Sequence, residues 1–473
     1  MTSHDRKLSR FRLDIMHRGV SFSGLMAAML GLAIIAGNPA NLQAGTTGVD
    51  GDKNFPGPVA PYHGPVVKGV DTTTLTGKVM CGYQGWFGTP GDGQTDSGWR
   101  HWVKHPGVLE DGNAKVDLWP DVSELPSSER FSTGFKMADG RPAEVFSSFN
   151  KDTVLKHFQW MQEYGLDGVF VQRFANGVQN PNSLEHDNTV LANCREGANR
   201  YGRTYAVMYD LSGLDHGKIK SVMNDWRKLR QKMAITDDPA YLHHHGKPVV
   251  AVWGIGFNDG RDYTLAECKR LIEFLKNDPD VGGCAVMIGV PTHWRELDED
   301  AVSDPALLDI AAMADIVSPW TVGRYSDLAG VSRHAEYDLK PDQAWCRAHG
   351  NEYMPVVFPG FSWHNMYPEG PSNQIPRRGG QFLWAQFSMA KRANVSMVYV
   401  AMFDEVDEGT AIFKCANDVP VGEQSRFVSY DGLPSDFYLK MVGEGTQVIR
   451  GEKKLSDVNL SGLRTTAENK TSQ

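Results

Sequence analysis

Ser396-Met-Val-Tyr-Val-Ala-Met-Phe-Asp-Glu-Val-Asp-Glu-Gly-Thr410 opens as an apolar, β-branched run and then breaks into four carboxylates, Asp404, Glu405, Asp407 and Glu408. The first half reads as a buried strand. A strand that leaves the core into clustered acids sets charge at a fixed rim. There a rigid scaffold holds the groups, and mutual repulsion raises at least one pKa, as general acid–base chemistry requires. A solvated acidic loop is the plainer reading, and a Ca²⁺ or Mg²⁺ loop is a third, although the segment lacks the Asp-x-Asp-x-Asp-Gly spacing of a calcium hand.

Working outward, the same pattern recurs along the chain. A short apolar run ends in polar or aromatic residues, an amphipathic segment follows, and another apolar run begins. The earlier runs are Lys78–Phe87, Gly168–Phe174, Thr204–Asp210, Pro248–Gly254, Cys284–Pro291, Asp315–Trp320 and Tyr353–Gly360. Helices are expected between them, for example over Lys151–Tyr164, where Val154, Leu155, Phe158 and Met161 share one face. Eight strand candidates alternating with helices predict an α/β fold, a (β/α)₈ TIM barrel. Continuous rather than alternating apolarity fits strands buried on both faces. The alternative, an open doubly wound sheet, lacks its G-x-G-x-x-G turn after the first strand.

The barrel is expected over 71–455 as a single large domain, with a long loop insertion after strand one at about 88–150. That insertion exceeds a normal connection and carries Trp99, His101, Trp102, Trp119 and Asp121, which suits a cap over the barrel mouth. Asp436–Arg450 reads as the closing helix, 456–473 as a polar C-terminal tail, and 45–70 as a flexible N-terminal extension. Arg6, Lys7, Arg10, Arg12 and Arg18 precede the apolar run Leu25–Ala36, with Ala44-Gly45 a cleavage point. This reads as a signal peptide over 1–44 and a secreted or periplasmic protein. The run is short for a membrane span, so no stable membrane insertion is expected after cleavage; an uncleaved anchor is the alternative.

With 22% charged residues, net charge −9 and no basic block, the composition is that of a globular protein for which nucleic acid is a poor partner. Six cysteines show no CxxC and no zinc spacing, and Cys81 and Cys284 fall in core strands as buried thiols. The triplet His243-His-His245 precedes strand four, at the end of a barrel away from its active face, and is not expected to be a functional metal site.

In a parallel barrel the strand C-termini and the loops after them form the active face. The residues placed there are Tyr83, Gln84 and Trp86; Gln172 and Arg173; Tyr209 and Asp210; Trp253; His293 and Trp294; Trp320 and Arg324; Phe361, Trp363 and His364; and the acids Asp404 to Glu408. Flat aromatic faces with amides, arginines and carboxylates suit a polyhydroxylated substrate. Each aromatic taken singly is as well explained by core packing at the rim. Asp210 and Arg173 either contact substrate or pair with each other.

The segment Phe403-Asp-Glu-Val-Asp-Glu-Gly-Thr410 resembles the Asn-Glu-Trp-His-Glu-Gly-Thr segment of glycoside hydrolase family 99, the endo-α-mannosidases and endo-α-mannanases. Gly82-Tyr-Gln-Gly-Trp-Phe87 resembles that family's first strand. Val252-Trp-Gly254, Gly289-Val-Pro-Thr-His-Trp294 and Phe358-Pro-Gly-Phe-Ser-Trp363 resemble bacterial relatives of families 99 and 71. The likeness spans roughly 75–450, and its most specific part is E-x-x-E-G-T. It implies a retaining glycosidase without a cofactor, in which Glu405 acts as base on the sugar 2-hydroxyl. That hydroxyl attacks the anomeric carbon to give a 1,2-anhydro sugar, while Glu408 protonates the leaving oxygen and then activates water. Val406-Asp407 stands where the family has Trp-His, which leaves the glycan open; family 71 acts on α-1,3-glucan.

These readings combine into a secreted glycoside hydrolase of α-linked polysaccharide or oligosaccharide, endo-acting, with Glu405 and Glu408 catalytic and carbohydrate as its partner. Its rivals are a non-catalytic carbohydrate-binding barrel and a metal-dependent hydrolase using the acids of 404–408.

Overall fold

A computed structural model describes residues 55–464. The expected signal peptide and the end of the polar tail lie outside the described residues. Within them the chain forms a closed parallel barrel of eight strand positions in sequence order. These are β1 (Val79–Tyr83), β2 (Gly168–Phe174), β3 (Thr204–Asp210), β4 (Lys247–Trp253), β5 (Ala285–Val290), β6 (Ile316–Pro319), β7, and β8 (Val398–Val400). The seventh is made of two short pieces, Glu352–Tyr353 and Val356–Val357. Its first piece pairs with β6 and its second with β8, which pairs with β1, so β7 closes the ring. Hydrogen bonds carry both ladders across the break: Met354 N–H donates to Val317 O and Tyr399 N–H to Pro355 O, each at 3.0 Å. Pro355 has no N–H to give, but its carbonyl still serves the ladder.

Helices α1 (Lys151–Tyr164), α2 (Pro181–Tyr201), α3 (Ile219–Lys232), α4 (Leu265–Asn277), α5 (Ala306–Met313), α6 (Leu328–His334), α7 (Lys340–His349), α8 (Gln381–Arg392) and α9 (Phe437–Arg450) surround the sheet. Their ends follow local chemistry. Asn180 caps α2 by accepting from the N–H groups of Asn182 and Ser183, with Pro181 opening the first turn. Thr264 and Glu267 close a reciprocal capping box on α4. α1 buries the expected face of Val154, Leu155, Phe158 and Met161. Because helices cover the sheet outside and side chains fill it inside, β3 and β5 are buried along their whole length, which is why they read as unbroken apolar runs. At Gly82 a side chain would run into the Tyr399 hydroxyl and the Met402 thioether, so glycine lets Tyr399 lie across the barrel interior.

The insertion after β1 contains an antiparallel hairpin of Phe131–Lys136 and Pro142–Val145. It bridges to the segment after β8 through Leu118 with Val428, Pro120 with Cys415 and Lys136 with Val421. Asp117 is the tie point. Its carboxylate receives the Ser362 hydroxyl and the backbone N–H groups of His364 and Asn365, the last two at 2.8 Å. The N–H groups of Asp117 and Leu118 both donate to Val406 O at 3.0 Å. One buried acid therefore clamps the insertion to the loops after β7 and β8, at the end of the barrel where the acids sit.

Residues 55–70, part of the stretch read as a flexible extension, have irregular backbone but are laid along α2. Phe55 is fully buried, and the N–H groups of Val67 and Val70 donate to Asn199 O and Gly202 O. All six cysteines are free and buried; burial pushes the Cys268, Cys284, Cys346 and Cys415 thiols up to about 12. Among the described residues no helix is long and apolar enough to cross a membrane.

Candidate active site

Beyond β8 the chain turns outward through Phe403, whose N–H donates to Gly82 O at 2.8 Å. Asp404 comes next and is completely buried. Its two oxygens accept from the N–H groups of Gln84 (2.7 Å) and Gly85 (2.8 Å), so it fastens the acid segment to the loop after β1. That spends both oxygens, and Asp404 is a clamp rather than a substrate ligand as read from sequence. Burial outweighs the two N–H donors and holds its carboxyl up to about 7.

Glu405 is also held at both oxygens. Gln84 Nε2 donates to Oε1 at 2.6 Å, and the Thr410 hydroxyl donates to Oε2 at 2.5 Å. The N–H groups of Thr410 and Ala411 return to Glu405 O. This tight return needs Gly409 at φ 65°, where a side chain would meet Ser362 N at 2.9 Å. Ser362 N–H donates to Glu408 O at 2.9 Å. The segment is therefore pinned from β1, from the β7 loop and, at Val406, from the insertion.

Glu408 lies half-buried at the mouth. Burial, then the charge of Asp407, pushes it up to about 8, while Lys115 pulls it down and Asp210 adds to the rise. Burial likewise holds Glu405 well above the carboxylate range, with Glu408 and Asp407 adding to it. Asp407 is raised by burial to about 6 and is opposed chiefly by Lys115, whose ammonium is 3.7 Å away. Three carboxyls this close cannot all ionise at neutral pH, so the cluster holds at least one shared proton.

The insertion contributes two side chains here. His101 lies flat on Trp86, with ring centroids 4.0 Å apart, and Lys115 Nζ lies 3.4 Å from His101 Nδ1. Trp86, expected as a stacking face for sugar, is engaged instead with His101 and with Phe174 at 5.3 Å. Lys115 has no part in the sequence reading and Thr410 enters it only as the last residue of the E-x-x-E-G-T motif; a single lysine between the buried residues Ala114 and Val116 is the signal that could have marked the first.

The other expected residues divide by strand parity. Gln172 faces the barrel interior, where its Nε2 donates to the Tyr399 hydroxyl at 3.2 Å and its Oε1 is buried without a partner. Asp210 lies near enough to raise Glu408, and its Oδ1 accepts from Ser212 N–H at 2.8 Å. Trp320 packs between Trp253 (5.4 Å) and Tyr399 (6.3 Å), and Arg261 covers Trp253 at 5.0 Å. Trp363 meets Tyr367 at 4.7 Å, whose phenol is raised by burial and by Glu408. His293 pairs with Asp300 at 3.1 Å, and that bond pushes its pKa up to about 9.

Besides Asp404, four expectations are corrected. Tyr83 points outward to α1, its hydroxyl 2.9 Å from His157 Nδ1. Arg173 and Tyr209 also point outward and converge on Asp225 of α3. The guanidinium binds it from Nε at 2.8 Å and Nη2 at 2.6 Å, and the phenol at 2.6 Å. Arg173 thus pairs with neither Asp210 nor substrate. Trp294 is fully buried, donating to Asp342 of α7 at 3.1 Å. In each case the side chain sits on the helix-facing side of the sheet or under a helix, out of reach of the mouth.

Arg173 has no exposed surface, so Arg173→Met should strand Asp225 in the interior and destabilise the fold by about 3–5 kcal/mol. Urea unfolding measures this. A double change of Arg173→Met with Asp225→Leu should recover much of the loss; equal stability of wild type and Arg173→Met would contradict the structural assignment.

A divalent cation fits the acid cluster poorly. Each oxygen of Asp404 and of Glu405 already holds one donor, which leaves too few free lone pairs for a Ca²⁺ ion that seeks six to eight oxygen ligands. Among the described residues, the group whose potential ligand atoms converge is His244, His245 and Glu352, away from the acids. There Leu75 N–H donates to His244 Nδ1 at 3.1 Å, which places the ring proton on Nε2, facing Glu352. A metal-bound imidazole shows the reverse, donating from its free nitrogen.

No protein-family model and no curated protein matches this sequence. Solved structures do match. A GH99 endo-alpha-mannosidase from Bacteroides thetaiotaomicron superposes with TM-score 0.58 at 16% identity, covering 80% of this chain and 99% of its own. A GH99 endo-alpha-mannosidase structure from the same organism in complex with BIS-TRIS-propane gives 0.56 at 16% identity, with the same coverages. The protein therefore shares the (β/α)₈ barrel fold of these structures over nearly their full length.

Proposed function

We propose that the protein is an exported glycoside hydrolase that cleaves an α-linked polysaccharide or oligosaccharide internally, with retention, through a 1,2-anhydro sugar. The observation that carries this reading is the pair Glu405 and Glu408 on one pinned segment at the end of β8. Glu405 is immobilised at both oxygens, and Glu408 lies half-buried beside it with its pKa raised.

The roles follow from what each carboxyl can do. Glu405 takes the proton of the sugar 2-hydroxyl, and that oxygen attacks C1 as the bond from C1 to the leaving oxygen breaks. Glu408 gives its proton to the leaving oxygen. Water then attacks C1, losing a proton to Glu408, while the C1–O2 bond opens and O2 recovers a proton from Glu405. Two inversions give net retention. Ordinary retaining enzymes flank the sugar with acid and nucleophile about 5–5.5 Å apart. Glu405 and Glu408 stand three residues apart on one short loop, and a nucleophile supplied by the substrate's own O2 removes the need for a carboxylate placed against C1. Asp210, Gln172 and the Trp253–Trp320 pair would hold the sugar.

A product screen tests the assignment. Mature wild type and Glu408→Gln are incubated with α-mannans, α-glucans and mixed plant or algal polysaccharides, with and without EDTA, and products are read by mass spectrometry. Oligosaccharide release that needs Glu408 and ignores EDTA is expected. Glycan binding without release by wild type would favour the binding barrel, and EDTA-sensitive release the metal-dependent hydrolase.

A further inference from the structure

The insertion brings to the acid cluster an imidazole for which the proposed chemistry has no role. His101 sits on a left-handed backbone with φ 61°, an uncommon state outside glycine that often accompanies functional positions. Its ring is nearly parallel to Trp86 (8°). Its Nδ1 lies 3.4 Å from Lys115 Nζ and 3.7 Å from Asp407 Oδ2. An ammonium has only protons to give. The Lys115 contact therefore makes Nδ1 the lone-pair nitrogen and leaves the ring proton on Nε2.

The ring is also kept neutral. Asp407 already has Lys115 as its counter-ion at 3.7 Å, and burial, with the charges of Lys115 and Arg100, holds His101 well below the imidazole range. Two buried polar atoms on its neighbours, Trp86 Nε1 and Asp407 Oδ1, have no partner. Such atoms mark places where a ligand or ordered water completes the bonding. The His101 side chain is itself 21% exposed.

We propose that His101 is a substrate-binding residue, donating its Nε2–H to an oxygen of the glycan held against Glu408, and that Lys115 is the positioning residue that fixes the donating tautomer. This rests on the glycosidase reading above. Glycan hydroxyl and ring oxygens are neutral acceptors, and a neutral donor of fixed tautomer serves them without placing a new cation beside the cluster. An imidazolium in the same place would pair with Asp407 and draw the proton off Glu408.

Nitrogen-15 NMR of the imidazoles, with His101 identified by its loss in His101→Asn, tests the tautomer without any substrate. A lone-pair Nδ1 and protonated Nε2 are expected at neutral pH, kept in Lys115→Arg and mixed in Lys115→Met. An imidazolium, or a proton on Nδ1, overturns the proposal. On a glycan that wild type cleaves, His101→Phe keeps a ring on Trp86 and His101→Asn tolerates the backbone. Both should raise KM about five- to tenfold with kcat within about twofold; Lys115→Met should move KM the same way and, because Lys115 also pulls Glu408 down, shift the alkaline limb of the pH profile upward. Wild-type KM in both His101 variants overturns this proposal alone, whereas a wild type that cleaves no glycan overturns the glycosidase reading and this assignment with it.

Discussion

Glu408→Gln should lower kcat/KM on an unactivated α-linked glycan by about 10²–10⁴-fold, the contribution of a positioned general acid. The same change should cost an aryl glycoside with a good leaving group about tenfold or less, because that leaving group departs without a proton. kcat/KM is the right quantity, since it reports steps only up to departure of the leaving group. The pH profile supplies a second sign. Glu408 must be protonated to act, and burial with the neighbouring Asp407 holds it up to about 8. Activity should therefore fall as pH rises through that value, and on the acid side it should rise only as Glu405, itself raised by burial, gives up its proton. Asp407→Asn removes the neighbouring charge that, after burial, does most to raise Glu408, so the alkaline limb should move to lower pH. Equal losses on both substrate types in Glu408→Gln would remove Glu408 from the acid role.

The barrel was legible in the sequence because a parallel strand buried on both faces cannot hide its composition. Every apolar run from Lys78–Phe87 to the acid segment coincides with a strand. β7 was read as one run, Tyr353–Gly360, whereas its ladder is carried by two short pieces around Pro355. The same continuity made the site harder to read. Where both faces are apolar, the two-residue alternation of the strand leaves no trace in composition. Residues at the strand ends were therefore assigned to the mouth without a parity. Gln172 and Asp210 face inward, while their neighbours Arg173 and Tyr209 face α3 and meet at Asp225. Asp404 was legible as an acid but not as a clamp, because its partners are backbone N–H groups of Gln84 and Gly85, far off in sequence. The sequence places His101 in the insertion without a role and gives Lys115 no mark, since the path of a long irregular segment is fixed by ties such as Asp117 to Ser362 and Val406. Local propensity does not encode those ties.

Glu405→Gln should cripple turnover of substrates with a free 2-hydroxyl by about 10²-fold or more, the scale of a lost general base. The stronger test uses wild type. If O2 of the sugar is the nucleophile, a substrate with O2 methylated has no nucleophile and should not be cleaved at all. A 2-deoxy-2-fluoro glycoside with a good leaving group makes the distinction sharper. An ordinary retaining enzyme would attack it with a carboxylate and hold the fluorosugar as a glycosyl ester. Glu405 cannot easily serve in that way: Gln84 Nε2 and the Thr410 hydroxyl occupy its two oxygens at 2.6 and 2.5 Å, and Gly409 fixes the turn that brings Thr410 back. A carboxylate so held is suited to receiving a proton from a hydroxyl that arrives in line with a remaining lone pair, rather than to swinging toward C1. Intact-mass spectrometry after incubation with the fluoroglycoside should therefore show unmodified protein. A mass increase of one fluorosugar, mapped to Glu405, would instead make Glu405 the nucleophile of a two-step displacement, and Glu408 alone would keep the role given to it here.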